Sequence, residues 1–350
     1  MPPVPVSEWG RRLSDAIREA LERGDLAAAR RLVVEGDGQA RSLEKEYSLM
    51  YKGLGITVRV LLGQLRELPP RGDLPALLAR FTGDMAARMA QGYGRPEAQP
   101  AIEAARSLAA PSPGESLEAA VDRTGRFVSA AEEVFAREQS RLAAEVLRAL
   151  DDGDAARARA LVDEKEQRQY VPLHDRIILF MAQVFGHVLA HYGPDGLHRF
   201  HMGSAEGQRQ GFEGWERMSA ADFARASAFL LKQHMGQVEV REDEEKFTFV
   251  QSLCGSGGRL RITGAYEGPG ALPFVPGPSA ATAGEARLPV YCSHCPIWNG
   301  VASIQWFGRP HWVFDCPARP DGSCTLHIYK RRDGAPADYF RRLGLAEPAR

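Results

Sequence analysis

The stretch RRLSDAIREALERGDLAAARRLVVE, Arg11 to Glu35, returns without a gap as SRLAAEVLRALDDGDAARARALVDE, Ser140 to Glu164. Leu21, Gly24, Asp25, Arg30, Leu32, Val33 and Glu35 fall on Leu150, Gly153, Asp154, Arg159, Leu161, Val162 and Glu164. Each copy reads as a helix that stops at a glycine able to take the left-handed conformation. The following aspartate then caps a second helix by accepting its unpaired backbone N–H groups. A longer amphipathic segment follows each copy, about 43 to 65 and 171 to 191, with Gly55 and Gly186 at comparable points. Two helical hairpins with their long helices predict a pseudo-symmetric bundle from one internal duplication, paired within or between chains. Proline- and glycine-marked breaks at 69–72 and 110–114 separate further helices, among them 117–138.

The regime changes past His191. VEVRE, KFTFVQSL, RLRITGAY, LPVYC, ASIQWFG, HWVFD and CTLHIYK are short and rich in β-branched and aromatic residues, and turn residues separate them. They predict an antiparallel sheet, with the glycine-, proline- and alanine-rich tract 267–286 as a loop or flap. The expected fold class is α+β: a duplicated all-helical domain over 1–205, then an antiparallel-sheet α/β domain with a cysteine metal site over 206–350.

All five cysteines lie in that second part: Cys254, Cys292, Cys295, Cys316 and Cys324. Composition bounds what they do. The 350 residues are 44% hydrophobic and 25% charged with a formal net charge of -1, ordinary globular material with no general electrostatic drive toward nucleic acid or anionic lipid. No helix-turn-helix or basic stripe points to DNA contact. The N-terminus lacks a secretory pattern, and the longest uninterrupted apolar runs are far below the ~20 residues that span a bilayer. A cytoplasmic protein is expected, with a small molecule as partner, no nucleic acid, no membrane and room for a homodimer.

In a reducing compartment, clustered thiols read first as a metal site. CxxC at Cys292 and Cys295 has the spacing at which two thiolates hold one zinc ion, and Cys254 and Cys324 border expected strands that would complete the set. Cys316, before Pro317, is the spare. Zinc is expected, with iron as the alternative for four thiolates.

Three features suit an open position on that metal. CGSGGRL presents exposed backbone N–H groups to a close-approaching ligand. His294 and His234 are placed to move a proton near a metal-bound water. Arg259 and Arg261, with Arg309 as a further candidate, would bind a carboxylate, while Trp298 and Trp306 would wall an apolar pocket. This is the pattern of a metal-dependent hydrolase or lyase acting on a small carboxylated molecule. A sensor or scaffold with a closed four-cysteine zinc, and a redox protein using the CxxC pair, are the alternatives. In the helical part, His174 beside Asp175 is an outlying candidate pair.

Over residues 230–335 the glycine-rich CGSGGRL segment, the YCSHCP turn and a final cysteine leading an IYK strand resemble bacterial proteins related to the aminothiazoline-carboxylate hydrolase family. The arrangement is also similar to the small-molecule-binding vinyl-reductase-like domains that bear a cysteine zinc site. The resemblance implies an α/β domain with an antiparallel sheet, and a role in hydrolysing a cyclic amidine-like C–N bond or in sensing a ligand. The long duplicated helical domain departs from those relatives.

Overall fold

A computed structural model describes residues 4–39, 42–93, 98–314 and 319–346. The fold is α+β, helical in the N-terminal part and sheet with helices in the C-terminal part. Contacts divide the chain into two compact units, one made mainly of Arg11–Ile177 and the other of Pro5–Gly10 with the chain from Ile178 onward.

In the first unit, α1 (Leu13–Glu22) and α2 (Leu26–Glu35) form one hairpin. Then come α3 (Ser48–Glu67), α4 (Leu74–Gly92), α5 (Gln99–Ala109) and α6 (Leu117–Asp151). The end of α6 makes the second hairpin with α7 (Ala155–Asp163). The two turns repeat bond for bond. Gly24 and Gly153 hold φ 72° and 77°; Asp25 N–H donates to the Ala20 carbonyl as Asp154 N–H does to that of Ala149. Asp25 then caps Ala28 N–H, and Asp154 caps Arg157 N–H.

The hairpins pack on each other within the one chain. Arg30 Nε bonds Asp151 at 2.8 Å, and Arg159 Nη1 bonds Glu22 at 2.6 Å. Glu22 and Asp151 occupy equivalent places in the repeat, so one contact is made twice across a pseudo-twofold. Leu13, Ala16, Ile17, Ala20 and Leu21 of α1, all buried, supply the apolar stripe that the helical period requires. At the 110–114 break, buried Arg123 grips Glu115 through Nε and Nη2 and the Ala109 carbonyl through Nη1, tying the start of α6 to the end of α5.

Two acidic segments, EKEY at 44–47 and EKEQ at 164–167, meet in this core. Glu46 Oε1 accepts from Leu13 N–H and Ser14 N–H, so it caps α1. Glu166 accepts from Ser14 Oγ, Tyr47 Oη and Arg18 Nη2. Tyr47 takes φ 68° to do so, and Glu164–Tyr170 winds as a π-helical turn. His174 Nδ1 does bond Asp175, at 2.9 Å, but the imidazole is fully buried against Tyr170.

A helical run, α8 (Val171–Glu206), carries the chain into the second unit and bends at Gly193, φ 70°, ahead of Pro194. The helical stretch Ala155–Glu206 holds a window apolar enough to cross a membrane, and half of that window is buried in the fold. Two helices follow, α9 (Arg209–Glu216) and α10 (Ala220–Gln233). The main sheet has β1 (Gln237–Glu242) and β2 (Lys246–Leu253), and later β5 (Val313–Phe314) and β6 (Cys324–Tyr329), in the order β1-β2-β6-β5 with every neighbour antiparallel. Phe249 lies opposite Leu326 and Phe247 opposite Ile328, all buried. Trp9 stacks on Phe247 with ring centroids 5.7 Å apart, which explains why Pro5–Gly10 belongs to this unit.

Several expected strands are otherwise. RLRITGAY forms the helix α11 (Gly257–Ile262), stopped at Gly264, φ 78°, where Ala265 N–H returns to the Leu260 carbonyl. ASIQWFG is helical too, ending at Gly308, φ 74°. In both, a glycine stop and burial of one helical face override strand propensity. Of LPVYC only the beginning is strand: β3 (Phe274–Pro276) and β4 (Arg287–Pro289) pair as a small ribbon. The tract 267–286 is accordingly not a flap, because Val275, Ala281 and Thr282 are buried in it.

Candidate functional site

The glycine loop after β2 and the YCSHCP turn come together, and glycine is what permits it. A Cβ at Gly257 would stand 2.7 Å from Cys292 Sγ, and one at Gly258 would stand 3.0 Å from Cys254 Cβ and 2.6 Å from the Gly322 carbonyl oxygen. The loop, the turn and the start of β6 thus pack against one another with bare backbone between them.

Each sulfur is engaged separately. Arg261 Nη1, on α11, donates to Cys292 Sγ at 3.3 Å. Cys254 Sγ lies 3.6 Å from Ser256 Oγ. Cys324 Sγ reaches the Thr325 carbonyl at 3.9 Å. The His294 ring donates from Nδ1 to the Tyr291 carbonyl, which leaves Nε2 as an acceptor 3.5 Å from Cys295 Sγ.

This overturns the expected metal centre. Among the described residues no group of three or more His, Cys, Asp or Glu side chains is disposed to hold a metal ion. Cys254, Cys292, Cys295 and Cys324 share a neighbourhood, since three of them raise the pKa of the fourth, Cys295. They do not converge on one point as zinc or iron requires. A guanidinium beside Cys292 Sγ would also oppose a cation there. The readings built on such a centre fall with it: the metal-dependent hydrolase or lyase, the structural zinc, and the roles of His294 and His234 at a metal-bound water. The CxxC pair shows no disulfide or close sulfur pairing to support the redox alternative, and Cys295 is committed to His294. Cys316 lies outside the described residues.

Burial governs the titration of these groups. It pushes the Cys292 thiol up to about 12, against the pull of Arg261, and the Cys295 thiol well above its ordinary value. It pushes His294 down to about 4. Both thiols and the imidazole are therefore neutral at pH 7.

The other expected residues divide. Trp298 belongs here, buried with its ring 4.7 Å from that of His294. Trp306 does not; it meets Phe212 edge to face and carries Arg209 over its own face. Arg261 is well placed, on Cys292 Sγ, and Arg259, two positions earlier on α11, is half-buried. His234 ends α10 and meets the glycine loop through its backbone, since a Cβ at Gly255 would stand 2.0 Å from its carbonyl oxygen. Arg309 belongs with Glu216, in a different part of the unit.

Sequence reasoning missed His201 and Ser293. His201, in the part of α8 beyond Gly193, has Nε2 2.8 Å from Ser293 Oγ. The Ser293 hydroxyl hydrogen goes to the Val290 carbonyl at 2.6 Å, so His201 must donate from Nε2. Its Nδ1, the Trp298 Nε1 and Arg261 Nη2 are buried and have no hydrogen-bond partner among the described residues. A lone histidine on a helix carries no spacing signal, and Ser293 is hidden inside the CxxC. Comparison with known proteins found no matching family model, no matching curated protein and no matching solved structure.

Proposed function

We propose that the second unit binds a small organic molecule in a recess between the glycine loop and the 291–298 turn. One observation carries this reading. Burial shifts the titration of Cys292, His294 and Cys295, yet each keeps part of its surface open to solvent, and Arg261 Nη2 and Trp298 Nε1 beside them are buried without a hydrogen-bond partner among the described residues. Groups enclosed by protein on most sides and still reachable by water border a narrow recess, the usual form of a small-molecule site.

The lining indicates the ligand. Tyr291 and Trp298 supply aromatic surface around His294. Arg261 holds Cys292 with one nitrogen and the Arg319 carbonyl with Nε, which leaves Nη2 as a buried donor for an anionic group such as a carboxylate. Neutral thiols and a neutral imidazole tolerate an apolar or weakly polar body. Reduced thiols at all four described cysteines suit a cytoplasmic setting.

The test is a panel of small carboxylic acids with aromatic or heterocyclic bodies, scored by melting temperature and by calorimetric titration. We expect at least one acid to bind and to stabilise the protein. Arg261→Met should weaken that acid by about tenfold or more, since a lost charge-assisted bond costs roughly 1.5–3 kcal/mol. No binding by any acid in the panel, or binding unchanged in Arg261→Met, would sink the proposal.

A further inference from the structure

One face of α3 is turned to solvent although its residues are apolar. Leu49 is 65% exposed and Ile56 42%, and with Gly53, Val60 and Gly63 they follow one another at alternating four- and three-residue steps. That spacing lays all five along one stripe of the helix, as in the seam of a coiled coil. We propose that this stripe binds a second copy of the chain, α3 against α3, antiparallel, across a twofold axis at Ile56. The inference is independent of the thiol recess.

Shape is the first argument. Leu49 and Gly63 stand equally far from Ile56 on either side, and Gly53 and Val60 nearly so. With the two Ile56 side chains at the centre, each Leu49 comes level with the partner's Gly63 and each Val60 with the partner's Gly53. Large meets small along the whole stripe, the arrangement in which knobs enter holes. The holes are open, since a Cβ at Gly53 or Gly63 would find nothing within 4 Å. Glycine weakens a helix interior, and close approach of a second backbone gives these two a use. A parallel pair would instead set leucine on leucine and glycine on glycine, with voids between.

Charge is the second argument, and it selects the same register. The turn ahead of α3 carries Glu44 and Lys45, and the end of α3 carries Arg66 and Glu67. All four reach the surface. The antiparallel pair brings Lys45 level with the partner's Glu67 and Glu44 near the partner's Arg66, so opposite charges meet at both ends. Along the edge of the stripe, exposed Lys52 falls beside the partner's Arg59, which Glu132 already neutralises at 3.0 Å. In a parallel pair Lys45 would face Lys45 and Lys52 would face Lys52.

The stripe is about 21 Å long on a helix roughly 10 Å wide. That is less than the ~800 Å² each partner gives to a standard interface. The dimer should therefore dissociate on dilution.

The experiment is sedimentation velocity of the full chain over a dilution series from millimolar to low micromolar, with circular dichroism confirming that each variant is folded. We expect the parent to dimerise reversibly. Ile56→Lys should weaken the dimer by about tenfold or more, because like charges facing each other across an interface are strongly unfavourable. Gly53→Leu fills the hole that receives Val60 and should also weaken it. Gly53→Leu combined with Val60→Ala exchanges knob and hole and should restore most of the association. A parent that stays monomeric at every concentration overturns the proposal and leaves the stripe to a different partner. A dimer unaffected by Ile56→Lys overturns it as well, and so does a Gly53→Leu variant with no loss or with a loss that Val60→Ala does not relieve.

Discussion

At Gly257 a single methyl group decides whether the site can form. A Cβ there would meet Cys292 Sγ at 2.7 Å and Tyr291 Cδ1 at 3.2 Å, and Tyr291 is a buried core residue. Gly257→Ala should destabilise the protein by about 1–3 kcal/mol, the usual cost of overpacking. Gly63→Ala, at an exposed position of α3 with nothing within 4 Å of the added carbon, should instead stabilise by up to about 1 kcal/mol through helix propensity. Urea unfolding of the two variants checks the pair; a Gly257→Ala midpoint equal to that of the parent would contradict the packing argument. The need for bare backbone beside Cys254 was legible in CGSGG, but the reason was not. The close approach is made by the protein's own Cys292 turn. The thiol count misled for a related cause: spacing along the chain reports which residues are neighbours, and metal binding depends on whether their sulfurs converge. Arg261 beside Cys292 and His294 beside Cys295 give those sulfurs other partners.

At the scale of elements, legibility followed how local the determinant is. The Gly-Asp punctuation of the duplicated hairpins acts within a few residues, and both turns form as read. Asp25→Ala and Asp154→Ala should each cost about 1 kcal/mol, because each removes one N-cap acceptor. The two losses should match within about 0.5 kcal/mol and add in the double variant, as independent sites do. Denaturant midpoints of the three proteins decide it, and a loss confined to one copy would remove the physical meaning of the repeat. By contrast, the charged segment EKEQRQY gave no hint that Lys165, Glu166, Gln169 and Tyr170 would be fully buried, because each is satisfied by residues distant in sequence. RLRITGAY and ASIQWFG misled in the opposite direction. Their β-branched and aromatic residues match a half-buried strand, and only the stops at Gly264 and Gly308 show that they are short helices. The exposed Arg30–Asp151 and Arg159–Glu22 pairs fix the pseudo-twofold without contributing much energy, since such pairs are worth under about 1 kcal/mol each.

For the molecule as a whole, the buried imidazoles make stability depend on pH near neutrality. Burial pushes His294 and His311 down to about 4 and His201 well below its ordinary value. In the unfolded chain each takes up a proton near ~6.5. Between these limits the unfolded state binds more protons than the folded one, so stability is fully present above about 6.5 and is lost as pH falls toward 4. From pH 7 to pH 5, His294 and His311 should each account for at most roughly 2 kcal/mol of that loss. The depressed carboxylates Glu166 and Glu216 act at lower pH, where they are protonated, and in the same direction. On the alkaline side two effects oppose each other. Burial pushes the Lys165 ammonium down to about 8, which lets stability rise above that pH, whereas the raised Cys292 and Cys295 thiols stay protonated in the fold while the unfolded chain gives up its thiol protons above about 8.5, which lowers it. Urea midpoints should therefore increase from pH 5 to pH 7. His294→Gln, which removes one titrating ring, should shrink that step. If the midpoints at pH 5 and 7 coincide, or proton NMR shows the His294 ring titrating near 6.5, the imidazole is not desolvated, and the recess inferred beside Cys292 and Cys295 loses its main support.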